Sequence, residues 1–239
     1  MWRGKTVSVV FPAYNEEENI VNAIEDFFSC GYVDEIVVVD NNSTDRTAEL
    51  VKTTKAKLVR ETRQGLGWAI KRGLKEATGD YIIIAEPDGT FIGKDVLKLL
   101  VYSDEFDVVL GTRTSKALIW KKANMKGFLR WGNWLAAKIL EFLFNGPSLT
   151  DVGCTLRLIK REKLNLIIDK LTVGGSFCNP ELVILALLNN FKVVEIPVNY
   201  LPRRGYSKIT GKWINVIKVG INMILLMFKY RILSIFKKI

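Results

Sequence analysis

Short apolar runs alternate with longer amphipathic stretches through the first half of the chain. The pattern predicts strands over residues 6–11, 35–40, 57–60 and 81–85, each bounded by turn residues. Continuous apolar runs of this length are typical of strands buried on both faces. Between them, helical spacing predicts helices starting near Glu16, after Ser43 or Thr44, and after Gly65. Strands that alternate with such helices indicate an α/β fold with a mostly parallel sheet.

The second half of the chain has a different make-up. Strands are predicted over residues 107–111, 151–159 and 191–198, and helices over residues 118–145 and 179–190. The first of these helices interleaves aromatic residues with lysine and arginine, which is typical of a helix in a membrane interface. The alternative is an ordinary amphipathic helix packed on the sheet.

Residues 213–236 are long and apolar, but they contain Lys218, Lys229 and Arg231. The uncharged stretch between Lys218 and Lys229 is far shorter than the roughly 20 residues that a helix needs to cross a bilayer. We therefore expect one or two amphipathic helices lying on anionic lipid. A single tilted span with its lysines reaching the head groups is the alternative.

Polar residues follow the predicted strands at their carboxyl ends, where ligands bind in open α/β sheets. They are Tyr14 and Glu16, then Asp40 and Asn42, then Glu86 and Asp88. The last two are carboxylates one residue apart on a turn, and hard cations such as Mg²⁺ or Mn²⁺ prefer oxygen ligands of this kind. Taken alone, the pair could equally be a polar turn after a core strand.

Composition limits the chemistry and indicates an anionic partner. The chain has no histidine, so acid, base and metal-binding roles fall to carboxylates. Its three cysteines are widely spaced, which fits a reducing compartment. Up to Leu110 there are 13 Lys and Arg against 19 Asp and Glu, and after it 22 against 6. The basic half suggests a membrane surface, a phosphorylated substrate or nucleic acid as partner, unless it is only a solvated basic face.

Several motifs in their order resemble family-2 glycosyltransferases of GT-A fold. They are FPAYNE at 11–16, VVDNNSTD at 38–45, GLGWAIKRG at 65–73 and GDY at 79–81. Later motifs are similar to the polyprenyl- or dolichyl-phosphate sugar synthases, a group that includes the dolichyl-phosphate mannose synthases. These are GTR at 111–113, RWGN at 130–133, DVGCTLR at 151–157, IPVNY at 196–200 and RRGYSK at 203–208.

The resemblance implies an inverting transferase that moves a hexose from a nucleotide diphosphate sugar of the GDP-mannose or UDP-glucose type to a polyprenyl or dolichyl phosphate. It implies a GT-A domain over residues 1–210, with a nucleotide and metal half (1–110) and an acceptor half (111–210). Residues 211–239 would be membrane-associating helices. The expected location is the cytoplasmic face of the cell membrane, as a peripheral protein that does not use nucleic acid.

The resemblance also assigns residues. The donor sugar nucleotide would contact Pro12, Tyr14, Glu16, Asp40, Asn42, Gly65, Glu86 and Asp88. The Mg²⁺ or Mn²⁺ ion would be held by Glu86, Asp88 and Thr90. The acceptor phosphate would be bound by Arg113, Arg130, Arg203, Ser207 and Lys208. The candidates for catalysis are Asp88, Arg113, Arg130, Asp151 and Glu181, the last two as bases for a hydroxyl acceptor. The arginines could instead be ordinary surface charges, and Asp151 could instead bond the backbone of its loop.

Two motifs depart from the family pattern. The metal motif is usually Asp-x-Asp, often with Gln two residues later, and here it reads Glu86, Asp88 and Thr90. The second strand usually ends in Asp-Asp-Gly-Ser, and here Asn41 and Asn42 replace the second Asp and the Gly. A Glu oxygen can still bind a metal ion, on a longer side chain.

The nature of the acceptor decides whether a base is needed. A phosphate monoester is already an anion at neutral pH, so it can attack without losing a proton. A sugar-hydroxyl acceptor on a lipid-linked glycan would need a carboxylate base, for which Glu181 and Asp151 are the candidates. A non-catalytic nucleotide- or nucleic-acid-binding protein is the remote alternative.

Overall fold

The computed structural model describes residues 1–121, 123, 127–204 and 213–236, apart from the side chains of Phe128 and Trp213. In this part of the chain seven strands form one sheet. The strands are β1 (Val7–Ala13), β2 (Glu35–Asp40), β3 (Lys57–Arg60), β4 (Tyr81–Ile84), β5 (Val108–Thr112), β6 (Arg157–Lys160) and β7 (Val193–Pro197). Their order is β3-β2-β1-β4-β6-β5-β7. The prediction of a mostly parallel α/β sheet is confirmed, because only β6 runs antiparallel to its neighbours.

The helices cover both faces of the sheet. In chain order they are α1 (Ile20–Ser29), α2 (Thr47–Val51), α3 (Leu66–Glu76), α4 (Asp95–Tyr102), α5 (Gly127–Phe144), α6 (Arg161–Ile167), α7 (Asn179–Leu188) and α8 (Trp213–Ile235). Side chains alternate between the faces of a strand. Val10 and Ile84 therefore pack with α3, α5, α7 and α8, whereas Phe11 and Ile83 pack with α1 and α4.

β1 and β4 position the functional edge. All residues of both strands are buried, and their parallel pairing aligns Val10 with Ile84. β2 pairs with the other side of β1 and aligns Asp40 with Ala13. The carboxyl ends of β1, β2 and β4 therefore meet at one edge, which brings the residues after these strands together.

The strand predicted over residues 151–159 is wrong in its first part, since β6 begins at Arg157. In the preceding loop, backbone N–H groups donate to side chains, and the Leu156 carbonyl, next to β6, accepts from the Gly111 N–H of β5. The Asp151 N–H donates to Glu195, and the Gly153 N–H donates to Asp151 Oδ1. This loop carries residues of the site described below.

Two predicted helix starts are wrong, and two helices were missed. The first helix begins at Ile20 and not near Glu16, because residues 16–19 form a turn in which Asn19 and Ile20 donate to the Glu16 carbonyl. The second begins at Thr47, where Asp45 accepts from the Thr47 N–H. Helices α4 and α6 were not predicted at all.

The carboxyl-terminal segment forms one helix, α8, where one or two were predicted. Its buried side chains, which include Met227 and Tyr230, pack in the core beside α5 and α7. Within the described residues, no helix has both the length and the apolar character needed to cross a membrane.

The close contact of α3 with the sheet gives a test of this packing. A Cβ on Gly73 would lie 2.2 Å from Val10 Cγ1, so Gly73→Ala must push α3 off the sheet. We expect this variant to lower the free energy of unfolding by about 1–3 kcal/mol in urea titrations. Gly132→Ala in α5 is the control, since nothing lies within 4 Å of its added Cβ. The control should be unchanged or more stable by up to about 1 kcal/mol; equal losses in both variants would contradict the packing.

Candidate active site

Three carboxylates meet one arginine at the carboxyl edge of the sheet. Arg203 Nη2 lies 3.0 Å from Glu16 Oε1, and its Nη1 lies 2.9 Å from Asp88 Oδ2 and 3.8 Å from Glu86 Oε2. Glu16 and Asp88 are buried, and the Glu86 and Arg203 side chains are each about a quarter exposed. We call these four residues the carboxylate cluster.

A neutral donor holds the other oxygen of each carboxylate in the cluster. Thr155 Oγ1 donates to Glu86 Oε1 over 2.5 Å. Thr90 donates to Asp88 Oδ1 from its hydroxyl at 2.5 Å and from its N–H at 3.0 Å. Asn19 Nδ2 donates to Glu16 Oε2 over 2.7 Å. One oxygen of each carboxylate is therefore held in place, and the other is directed at the guanidinium.

The cluster has an excess of negative charge. Burial raises the pKa of Glu16 to about 7, against hydrogen bonding from Asn19 and the charge of Arg203. Burial also raises the pKa of Glu86, and the neighbouring charge of Asp88 raises it further. One arginine against three carboxylates leaves the ionised cluster in need of more positive charge.

The arrangement fits a divalent cation that also takes ligands from its substrate. Among the described residues, no three Asp, Glu, Cys or His side chains lie close enough together to hold a metal ion by themselves. Glu86 and Asp88, however, direct one oxygen each towards the same guanidinium nitrogen, so that position already suits a cation. Two carboxylates completed by phosphate oxygens and water are a usual Mg²⁺ site. Thr90 lies beside Asp88 and supports it, and its role as a direct ligand stays a prediction.

The main chain of residues 201–204 ties Arg203 to this edge. The Leu201 N–H donates to the Thr90 carbonyl, and the Arg204 N–H donates to the Asp88 carbonyl. Asn19 Nδ2 donates to the Arg204 carbonyl at 3.2 Å. The sequence analysis placed Arg203 with the acceptor phosphate, and the structure places it in the carboxylate cluster.

The predicted donor residues surround the same edge. Pro12 lies opposite Val39 near the end of β1, and Tyr14 is half-buried just beyond the strand. Buried Asp40 accepts from the Ser43 N–H. Asn42 has a positive φ of 62° and donates to the Thr62 carbonyl. Their contacts with a nucleotide stay predictions.

Asn41 explains one departure from the family pattern. Its amide nitrogen donates to the carbonyls of Glu61 and Arg63, and its Oδ1 accepts from the Gly65 N–H. An ionised Asp could not donate to these carbonyls. Asn41 therefore fastens the end of β2 to the loop that leads into Gly65 and α3, a role that the sequence analysis did not assign.

Arg113 and Asp151 form a second, buried charge pair next to the cluster. Arg113 donates from Nε and Nη2 to the two Asp151 oxygens, at 2.8 and 2.9 Å, and its guanidinium lies over the Tyr200 ring. Burial lowers the pKa of Arg113, but the charge and hydrogen bonds of Asp151 outweigh it and the pKa is raised. Asp151 lies on the same loop as Thr155, which donates to Glu86, so the pair lies near the cluster, and the Arg113 charge opposes the rise in the pKa of Glu86.

Of the remaining residues predicted to bind the acceptor phosphate, Arg130 lies in the described part of the chain, on α5 close to Asn133. Asn133 of α5 lies beside Gly153 and Arg113, since a Cβ on Gly153 would come within 2.6 Å of Asn133 Oδ1 and 3.3 Å of Arg113 Nη2. Arg130 lies one helical turn before Asn133 and is half-buried. Ser207 and Lys208 lie outside the described residues.

Glu181 is buried in the first turn of α7, and its oxygens accept several hydrogen bonds. The donors are the Thr172 N–H and hydroxyl, the Val173 N–H and the Tyr230 hydroxyl. The structure thus gives Glu181 a role in holding a loop and a helix together. Its role as a catalytic base stays a prediction, as does that of Asp151, whose oxygens bind Arg113.

Thr155, Asn19 and Asn41 are site residues that the sequence analysis did not single out. Thr155 stood inside the 151–157 motif, and Asn19 lies three residues after Glu16, where a side chain can reach back in a turn. Motif membership could have drawn attention to Thr155. Its partner Glu86 lies 69 positions away and is identified only by the fold.

The site is therefore a carboxylate pair with nearby arginines, at the edge of an α/β sheet where ligands bind. Residues 8–167 match the sequence profile of glycosyl transferase family 2. The chain belongs to this family, which confirms the resemblance at that level.

Similar curated proteins include two that are named as a glycosyltransferase and a hexosyltransferase. An uncharacterized protein of Methanocaldococcus jannaschii is 32% identical over 86% of this chain and 87% of its own length. In Haloferax volcanii, glycosyltransferase AglJ is 27% identical over 82% of this chain and 63% of its own. The low-salt glycan biosynthesis hexosyltransferase Agl6 is 29% identical over 85% of this chain and half of its own length.

Solved structures confirm the GT-A fold. The chain is similar to glucosyl-3-phosphoglycerate synthase of Mycobacterium tuberculosis in complex with Mn²⁺, UDP and glucosyl-3-phosphoglycerate, with a TM-score of 0.72 and 20% identity. The match covers 97% of this chain and 80% of the synthase. At this identity the likeness concerns the fold alone.

The Arg113–Asp151 pair gives a test of how much the site depends on Asp151 structurally. Asp151→Asn leaves Arg113 without its counter-ion, and we expect a loss of about 3 kcal/mol in the free energy of unfolding. Asp169→Asn is the control, because Asp169 pairs with Lys75 at an exposed position. The control should change by less than about 0.5 kcal/mol. A loss below about 1 kcal/mol for Asp151→Asn in urea titrations would show that the pair is not structural.

Proposed function

We propose that the protein transfers a hexose from a nucleotide diphosphate sugar to a polyprenyl or dolichyl phosphate at a membrane surface, with inversion at the anomeric carbon. This proposal depends on one observation. Glu16, Glu86 and Asp88 converge on the guanidinium of Arg203, beside the Arg113–Asp151 pair. The site would thus bind a metal–diphosphate on one side and an anionic acceptor on the other.

On the donor side, Glu86 and Asp88 would hold Mg²⁺ or Mn²⁺, with Thr155 and Thr90 keeping the two carboxylates oriented. The ion, when bound, would neutralise charge that develops on the departing nucleotide diphosphate. Asp40, Asn42 and Gly65 lie at the same edge, within reach of the nucleotide. Similar solved structures are complexes with Mn²⁺ and UDP or UDP-glucose, which supports a divalent ion and a nucleotide sugar.

On the acceptor side, a phosphate would attack as an anion, so no base is required. This agrees with the lack of histidine in the chain and with the engaged oxygens of Glu181 and Asp151. Asp151 engages Nε and Nη2 of Arg113, which leaves Nη1 for a phosphate oxygen. Arg130 and Arg203 would supply further positive charge, and bidentate binding by arginine suits a phosphate group.

The outer face of α8 supports a lipid-bearing substrate. It carries exposed apolar side chains three or four residues apart, a set that we call the α8 stripe: Ile214, Ile217, Ile221, Leu225, Phe228, Ile232 and Ile235. Every charged residue of α8 is positive, namely Lys218, Lys229 and Arg231. A second copy of α8 would bring like charges together, so an anionic lipid surface fits the stripe better.

Exposed aromatic side chains on α5 point to the same kind of surface. Trp131 and Trp134 are about half exposed, and Phe142 is 86% exposed. Aromatic side chains are favoured where one side meets lipid and the other meets water. We propose a peripheral protein of the cytoplasmic membrane face, with α5 and α8 lying in the interface.

A transfer assay tests the function. With Mn²⁺ or Mg²⁺, polyprenyl phosphate, and labelled UDP-glucose or GDP-mannose, we expect label in the lipid phase with one donor, and none with EDTA. Asp88→Asn should lower the rate about 100-fold or more because an oxygen ligand of the cation is lost, whereas Glu105→Gln at an exposed position should not. Absence of lipid label with every donor would contradict the proposal, and label on a glycan hydroxyl would favour the alternative acceptor.

Sedimentation with vesicles tests the membrane surface. The protein should co-sediment with vesicles that contain anionic phosphatidylglycerol and less with pure phosphatidylcholine. Leu225→Glu places a negative charge in the α8 stripe and should weaken binding about tenfold or more, because it also removes buried apolar area. Leu166→Glu, on exposed α6, is the control and should bind nearly as the unchanged protein does. If the wild-type protein stays in the supernatant with anionic vesicles, the membrane proposal is wrong.

A further inference from the structure

A buried set of contacts connects α8 with the loop of residues 172–175. The Tyr230 hydroxyl donates to Glu181 Oε1 over 2.7 Å, and both side chains are at most 5% exposed. Burial raises the pKa of the Tyr230 phenol, and the hydrogen bond to Glu181 raises it further. The phenol therefore stays protonated and donates a hydrogen bond to the carboxylate.

Glu181 in turn accepts hydrogen bonds from the 172–175 loop. Its Oε1 accepts from the Thr172 N–H at 2.9 Å and from the Thr172 hydroxyl at 2.7 Å, and its Oε2 accepts from the Val173 N–H at 3.0 Å. Both carboxylate oxygens thus face backbone donors of one short loop. A charged acceptor makes stronger bonds of this kind than a neutral one.

The loop in turn lies against the start of α3. The Gly174 carbonyl accepts from the N–H groups of Gly67 and Trp68, at 2.9 and 3.3 Å. The backbones are so close that a Cβ on Gly65 would lie 2.2 Å from Gly174 O, and one on Gly67 would lie 2.0 Å from Val173 O. Gly65 also has a φ of 145°. Glycine is needed at both positions because the loop leaves no room for a side chain.

The start of α3 is part of the donor edge. The Gly65 N–H donates to Asn41 Oδ1 over 2.8 Å, and Asn41 directly follows Asp40 at the end of β2. The contacts therefore run without a gap from α8, through Tyr230 and Glu181, to the predicted nucleotide-binding residues. None of these side chains needs to touch the substrate.

We propose that Tyr230 and Glu181 are positioning residues, a brace through which α8 holds the 172–175 loop and the start of α3 in the conformation that binds the nucleotide. The inference rests on the proposed function for the location of the nucleotide. It assigns Glu181 a role in donor affinity and makes α8 part of the donor site's support. The helix that carries the α8 stripe thus also sets the shape of the donor edge.

Two variants of the full chain test the brace. Tyr230→Phe removes only the hydroxyl. Glu181→Gln keeps the size, but its amide nitrogen must face one of the two backbone donors, Thr172 N–H or Val173 N–H, whichever way it is turned. Tyr102→Phe, at an exposed position of α4, is the matched control.

The first measurement is amide hydrogen exchange, which does not depend on any ligand. In Tyr230→Phe and Glu181→Gln, we expect the amides of Gly67, Trp68, Thr172 and Val173 to exchange about tenfold faster, since a bond to a charged group is lost. The core strands β1 and β4 and the control should be unchanged. Unchanged exchange at the four amides, or an equal increase across β1 and β4, would overturn the proposal.

The second measurement is the affinity for UDP and for GDP in the presence of Mn²⁺, by calorimetry. Both variants should bind the nucleotide about tenfold more weakly, and in the transfer assay KM for the donor should rise more than kcat falls. A loss of kcat at unchanged KM in Glu181→Gln would overturn the brace and indicate a catalytic base. If the unchanged protein bound neither nucleotide, the proposed function would fail, while the exchange measurement would still decide whether the brace exists.

Discussion

The structure of the site depends on three carboxylates that share one guanidinium. Glu16, Glu86 and Asp88 come from two different loops, and Arg203 comes from a third segment more than 100 residues later. Mutual repulsion would drive the carboxylates apart without a cation between them. A divalent ion bound by Glu86 and Asp88 would supply the missing positive charge. It would also weaken the ion pairs of these two carboxylates with Arg203. The same arginine could then turn to a phosphate without its backbone moving, because Leu201 and Arg204 are bonded to the residues around Asp88.

The fold could be predicted from sequence where burial dictates the pattern. The run at 81–84 is buried on both faces, so its continuous apolar character identified β4 and placed Glu86 and Asp88 at a strand end. The prediction failed where side chains replace backbone partners. Residues 151–156 read as a strand, but Asp151 and Glu195 accept their N–H groups, so that segment is a loop. Helix α4 has a clear buried face in Val96 and Leu99, and it was missed because it directly follows the turn after Asp88.

Site residues could be predicted from the sequence only where they lie inside a motif or at the end of a predicted strand. Tyr14, Asp40, Glu86 and Arg113 stand at strand ends or inside motifs, and the fold brings those ends to one edge. Sequence could not give the partners: Thr155 orients Glu86 across 69 positions, and Arg203 binds carboxylates where a phosphate was expected. Such contacts depend on how loops from different strands meet, which no local pattern encodes.

The buried carboxylates of this protein differ in the acceptor capacity that they have left, and this difference assigns their roles. Asp151 gives both oxygens to Arg113, and Glu181 gives both to the 172–175 loop and Tyr230. Glu86 and Asp88 each accept at one oxygen from a threonine and direct the other to the Arg203 guanidinium. A carboxylate whose oxygens are all bonded to the main chain or to a fixed ion pair can stabilise a shape, but it must break those bonds to take a proton or a metal ion. This difference supports the proposal that Glu86 and Asp88 bind the cation, and that Asp151 and Glu181, whose oxygens are all bonded, would hold the acceptor and donor sides of the site in place.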